Sequence, residues 1–147
     1  MIMKLRERMA KGEEGFTLIE LLVVMLIIGI LAAIAIPTFF NQKQKAQDAD
    51  TKAMAHTAQT AIETYATDNG GKYTGATPAL LKGIEQTIDQ PNVTVVSATD
   101  NGYEVQVKNP TTTHTFNIKR DGATGAFSYT CLPVGNGGCP TSGNWGQ

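Results

Sequence analysis

Apolar residues are arranged in two unlike ways along this chain. From Phe16 to Ile36 the sequence runs FTLIELLVVMLIIGILAAIAI, in which 18 of 21 residues are apolar and Thr17, Glu20 and Gly29 are the exceptions. A helix over this stretch is roughly 31 Å long, about the thickness of a bilayer's hydrocarbon core. It has no polar face, so its whole circumference must be buried in lipid or among other helices. Past Pro37 the pattern changes. Ala46, Ala49, Ala53, Ala58, Ala61, Ile62 and Tyr65 recur mostly at spacings of three and four, which predicts an amphipathic helix stopped by Asn69-Gly70-Gly71. One helix from Phe16 to about Thr67 spans 52 residues, roughly 78 Å. A compact domain of this size has a radius of gyration of only about 13–15 Å. The apolar half of the helix is therefore expected to protrude and the amphipathic half to dock on a head.

Residues 70–92 form a polar connection, in which Thr77-Pro78 ahead of ALLKGIEQTID reads as an N-cap, a proline at the first helical position and a short helix. Strand patterning follows. VTVVSAT, the turn Asp100-Asn101-Gly102 and YEVQVK predict a hairpin with Tyr103, Val105 and Val107 on one face. HTFNIK with Phe116 and Ile118, a DGATG turn and AFSYT with Phe127 and Tyr129 complete four short antiparallel strands, whose apolar face can lie on the helix stripe. The fold class is thus α+β: a long N-terminal helix, half protruding and half docked, packed on a four-stranded antiparallel sheet. The expected segments are 1–15 as a leader, 16–37 as the membrane-length helix, 38–69 as the amphipathic helix, 70–92 as the connection and 93–147 as the sheet and C-terminal region.

Composition narrows the chemistry. Twelve Lys and Arg against 13 Asp and Glu leave a formal net charge of −1 over 147 residues, so strong nucleic-acid binding by this chain alone is not expected. Two Cys and two His are too few for a zinc ribbon or finger. No nucleophile, base and orienting acid converge in the sequence, there is no phosphate loop, and no metal or cofactor is expected; Ser97, Ser128 and Ser142 stand without recognisable context. His56 reads as a surface residue of the helix, and His114 lies on the third strand without a clustered partner in sequence.

Four basic residues (Lys4, Arg6, Arg8, Lys11) precede the apolar block and two (Lys43, Lys45) follow closely, which favours a cytoplasmic N-terminus and an external body. Three readings of the block compete. It is a secretory signal with an A-x-A-like pattern at Ala33-Ile34-Ala35, a plain single-pass anchor, or a helix destined for assembly. Glu20 bears on the choice, because a carboxylate inside an apolar run is either wet at the interface or functional. If the chain is cut between Gly15 and Phe16, Glu20 falls in the first turn of a new helix, where its charge suits the helix N-terminus and can pair with an α-amine, its own or a neighbour's. A mispaired acid would be left buried and alone, so the same residue can set the axial register of identical helices.

At these residues, GFTLIELLVVMLIIGILAAIAIP, the sequence resembles the type IV pilin family: a short charged leader ending in Gly15, then Phe16, then the acid Glu20 ahead of a membrane-length run. The likeness covers roughly residues 12–45. It implies a type IVa-like prepilin with a class III leader, cleaved after Gly15 by a membrane aspartyl prepilin peptidase and N-methylated on Phe16. It further implies that Glu20 meets the Phe16 amine of an adjacent subunit as the chain leaves the membrane and forms a homopolymer, driven by an assembly platform and cytoplasmic motor. Gly29 and Pro37 are helix-breaking residues, read either as a simple bend or, by the resemblance, as a place where the helix unwinds in a filament. Cys131 and Cys139 enclose LPVGNGG. In an extracytoplasmic head they most simply form a disulfide, worth about 2.5 kcal/mol by loop-closure entropy, and the alternative metal pair lacks other ligands nearby. Trp145 beyond them either packs on the head or meets a neighbour.

The leading expectation is a structural subunit of a surface pilus used for adhesion, twitching motility or DNA uptake, not an enzyme. One alternative is a pseudopilin of a type II secretion or competence pseudopilus. The major secretion pseudopilins carry a calcium site in the head, whereas Asp121 and Glu104 are the only carboxylates available here from the late strands and C-terminal loop. An alternative of another class is a membrane-anchored extracytoplasmic binding module.

Overall fold

A computed structural model describes residues 15–146; the charged residues Lys4, Arg6, Glu7, Arg8, Lys11, Glu13 and Glu14, on which the leader and orientation readings rest, lie outside the described residues. Helix α1 (Leu18–Asp68) runs through Gly29 and Pro37 without a break. Pro37 has no N–H to offer the Ala33 carbonyl; one residue on, Thr38 Oγ1 donates to the Ile34 carbonyl at 3.1 Å. The helix stops where the glycines lie. Gly70 and Gly71 have φ of 67° and 82°, and the Gly71 amide reaches back to the Ala66 carbonyl at 2.7 Å, the 6→1 bond of a Schellman end.

The chain divides into two units at Phe39/Phe40. In the first, the large side chains from Leu18 to Ile36 are exposed around the helix, and this is the one described helix long and apolar enough to cross a membrane.

The second unit is the head. Its sheet has the order β1-β2-β3-β4, with β1 (Val93–Ala98), β2 (Tyr103–Lys108), β3 (Thr115–Arg120) and β4 (Phe127–Leu132) all antiparallel to their neighbours. Val93 opposes Val107, Val107 opposes Phe116 and Phe116 opposes Cys131, so one face collects the apolar side chains of all four strands. An irregularity between Val95 and Ser97 turns Val96 out to solvent and returns Ala98 to the inner face opposite Tyr103. Helix α2 (Pro78–Ile84) is capped by Thr77, whose Oγ1 accepts the Leu80 amide, and it buries Leu81.

Ala55, Ala58, Ala61, Ile62 and Ala66 of α1 face this sheet and share a core with Tyr103, Val105, Val107, Phe116 and Ile118. Each large side chain removed from water in this core contributes about 1.5–3 kcal/mol. At the C-terminal end of this face, Glu63 accepts the hydroxyls of Tyr73 (2.7 Å) and Tyr103 (3.0 Å).

Two expectations need revising. The N-terminal part of the helix stripe is out of register: Ala46, Ala49 and Ala53 are exposed, and Asp48 and Thr51 take the inward positions. A small alanine is tolerated on either face, so its spacing was a poor guide there. Phe127 shares the inner face but lies at the sheet margin, 41% exposed, beside the Arg120 guanidinium.

Candidate functional site

Two places in the described chain bring unusual chemistry together. The first is the tip of α1. Gly15 and Phe16 precede the helix, and the Phe16 side chain is 89% exposed. Thr17 is the N-cap: its carbonyl accepts the Leu21 amide at 3.2 Å, and its Oγ1 lies 3.3 Å from the Glu20 amide. Glu20 answers in the other direction. Its Oε2 accepts the Thr17 amide at 2.8 Å and the Thr17 hydroxyl at 2.7 Å. This is a reciprocal capping box, which satisfies donors that a helix start otherwise leaves open. Both bonds to the carboxylate use Oε2, which leaves Oε1 open among the described residues. The T-x-x-E spacing that signals this box is present in the sequence, and it gives Glu20 a partner, Thr17, beyond the charge expected at the helix start.

Gly29 and Pro37 lie within α1, in the exposed apolar stretch. Cys131, on β4, and Cys139 are joined in a disulfide.

The second place was not anticipated from the sequence. Asp48 is fully buried in the head and accepts four hydrogen bonds. Asn109 Nδ2 (2.8 Å) and Thr112 Oγ1 (3.0 Å) donate to Oδ1; His114 Nδ1 (2.7 Å) and the Gly138 amide (2.8 Å) donate to Oδ2. Burial alone would raise the Asp48 carboxyl, but the bonds from Gly138, His114 and Thr112, with the His114 charge, outweigh it and hold the group below the usual aspartate range. The donors arrive from the β2–β3 connection, where His114 lies one residue ahead of β3 rather than on the strand as expected, and from the disulfide loop, all distant in sequence from the helix. No local spacing announces them. The one available signal is a lone acid on what would otherwise be the inward face of an amphipathic helix.

Beside this cluster the C-terminal segment folds back along β4. The Trp145 indole Nε1 donates to the Thr130 carbonyl at 3.0 Å, and its ring meets Phe116, Tyr129 and His56 edge-on, with centroids 5.2–5.8 Å away. Trp145 therefore packs on its own head. His56 stays exposed on α1 as a ring partner of Trp145, and His114 has Asp48 as the partner that sequence alone did not supply. Among the described residues, no group of three or more His, Cys, Asp or Glu side chains is placed to hold a metal ion.

Residues 10–36 match the family model described as the prokaryotic N-terminal methylation motif. The chain is 38% identical over 94 residues to the type IV wide pilus major component PilA4 of Thermus thermophilus, an alignment covering 63% of this chain and 71% of that protein. It is 30% identical over 98 residues to the type II secretion system core protein G of Escherichia coli, covering 65% and 64%. Against the type IV major fimbrial protein FimA of Dichelobacter nodosus it is 51% identical over 65 residues, covering 43% and 39%. No solved structure matches the chain significantly.

Proposed function

The chain belongs to the type IV pilin family, and from that premise we propose that it is the structural subunit of a type IV pilus, without a catalytic role of its own. The precursor sits in the plasma membrane through residues 16–37 with its N-terminus in the cytoplasm. A prepilin peptidase cuts between Gly15 and Phe16, and the new Phe16 amine is methylated. The assembly platform and motor then move the subunit from lipid into a homopolymer whose core is the apolar helices.

One observation carries this reading: an exposed Gly15-Phe16 junction followed within four residues by the Glu20 carboxylate, at the head of a helix whose apolar side chains from Leu18 to Ile36 stand exposed among the described residues. An all-round apolar surface must be buried somewhere, first in lipid and then against copies of itself. Among the described residues Glu20 Oε1 is open to a cationic amine, and the Thr17 bonds hold the carboxylate at the tip until a neighbour's Phe16 amine arrives. Head-to-tail packing of identical helices generates an open fibre, since nothing closes it into a ring. Gly29 and Pro37 are the positions where the helix would yield as subunits pack or as the fibre stretches. Adhesion, twitching motility and DNA uptake are the activities we assign to the fibre.

The similarity to a secretion core protein supports a second reading, a subunit of a short pseudopilus. Electron microscopy of intact cells, combined with mass spectrometry of the mature N-terminus, tests both. Long shed fibres containing this chain with a methylated Phe16 are expected. A methylated Phe16 without long fibres favours the pseudopilus, and a mature start at Ile36, or an uncut chain, overturns both.

A further inference from the structure

The Asp48 carboxylate takes all four of its bonds from outside α1, and it does not act alone. One turn along the helix, Lys52 Nζ donates to the Gly138 carbonyl at 2.6 Å and lies 5.4 Å from the Phe116 ring centroid and 5.8 Å from that of Trp145. The acid at i and the base at i+4 thus hold the amide and the carbonyl of a single residue, Gly138, next to Cys139. The fit needs glycines. A Cβ on Gly138 would come within 2.7 Å of the Asp48 Cβ, and one on Gly137, where φ is 53°, would strike Asp48 Oδ2 and His114 Cε1. The same carboxylate reaches the β2–β3 turn, because Asn109 donates to Asp48 with its Nδ2 while its Oδ1 accepts the Thr111 and Thr112 amides at 2.9 and 3.1 Å. By contrast, the disulfide joins Cys139 to Cys131, eight residues away at the base of the same loop. It closes the loop on itself and makes no bond to α1.

We propose that Asp48 is a latch that seats both the disulfide loop and the β2–β3 turn on α1, so that the carboxylate sets the position of these segments and the disulfide only closes the loop. Removing one partner from so enclosed a network leaves the remaining donors unsatisfied, which opens the segments that carry those donors before it opens the sheet. The inference does not depend on whether the chain builds a pilus or a pseudopilus.

The test is amide hydrogen exchange by NMR on the full-length chain in detergent micelles. In Asp48→Asn, exchange at Gly138 and at Thr111 to Thr113 is expected to speed up at least about tenfold, while amides of β2 and β3 keep their wild-type rates. In the double variant Cys131→Ser with Cys139→Ser, Gly138 is expected to stay within about threefold of wild type. If Asp48→Asn does not fold, Thr112→Val removes a single donor and is expected to accelerate the same two segments by a smaller factor. Unchanged exchange in these carboxylate-side variants, acceleration spread evenly over the sheet, or release of Gly138 by loss of the disulfide would each overturn the latch.

Discussion

The Gly138 amide lies 2.8 Å from Asp48 Oδ2, and the Asp48 side chain is so close to the Gly138 backbone that only a hydrogen fits where a Cβ would stand on Gly138. A residue in a C-terminal loop and one 90 positions earlier on a helix are thereby held as tightly as neighbours in a strand ladder.

That closeness predicts opposite outcomes for two glycine substitutions. Gly138→Ala meets the Asp48 Cβ and is expected to destabilise the head by about 1–3 kcal/mol through overpacking. Gly83→Ala, in α2 with nothing within 4 Å of the added methyl, is expected to stabilise it by up to about 1 kcal/mol. Thermal unfolding followed by Trp145 fluorescence checks both, and a Gly138→Ala midpoint equal to wild type would contradict the first.

Acid should loosen the same cluster. Asp48 has a folded pKa below its unfolded value, so its contribution is complete above the unfolded value of about 3.9 and disappears as pH falls through the folded one. The titratable groups around it are His114, one residue ahead of β3, and Lys52 on α1, with Lys45 lining the same groove; the loop from Leu132 to Ser142 brings no charged side chain. Unfolding midpoints of the wild type are expected to fall below about pH 4, with a flatter profile in Asp48→Asn. Parallel pH profiles would show that other carboxylates dominate.

Alkali should act at the other end of the head. Burial first, and then the Glu63 charge and hydrogen bond, push the Tyr103 hydroxyl far above its ordinary range. Since the folded pKa is raised, its contribution is whole below the unfolded value of about 10 and is lost as pH climbs past it. Ultraviolet titration should therefore find Tyr103 silent until the head unfolds, and Glu63→Gln should bring its ionisation to lower pH. A Tyr103 that ionises in its ordinary range while the head is still folded is the contrary result.

At the helix tip, Glu20→Ala removes both the Thr17 cap and the carboxylate offered to a neighbour, whereas Thr17→Val removes only the hydroxyl from the box. Fibres on the cell surface, counted by electron microscopy and immunoblot of the sheared fraction, are expected to fall at least about tenfold in Glu20→Ala and to persist in Thr17→Val. Equal yields in the two variants would separate fibre formation from the carboxylate.

Much of the architecture can be read along the chain because its causes are local. A run of 18 apolar residues in 21 has one physical solution, a helix with no water around it. Alternation through YEVQVK and TFNIK sets which side of each strand is apolar, and Asn69-Gly70-Gly71 ends α1 because glycine accepts the left-handed conformation a helix end requires. Thr17 and Glu20 are equally local, three residues apart, and their box is legible in the T-x-x-E spacing of the sequence.

What the sequence alone determined, then, is where the chain is helix and where it is strand, which stretch needs a membrane or other helices, and which acid stands at the tip. Only the tertiary structure decided which face of the N-terminal part of the head helix turns inward, and it chose Asp48 and Thr51 over Ala46, Ala49 and Ala53. The reason is that a buried carboxylate is tolerable only where donors surround it, and those donors, at Asn109, Thr112, His114 and Gly138, come within reach only once the sheet and the disulfide loop have closed over the helix.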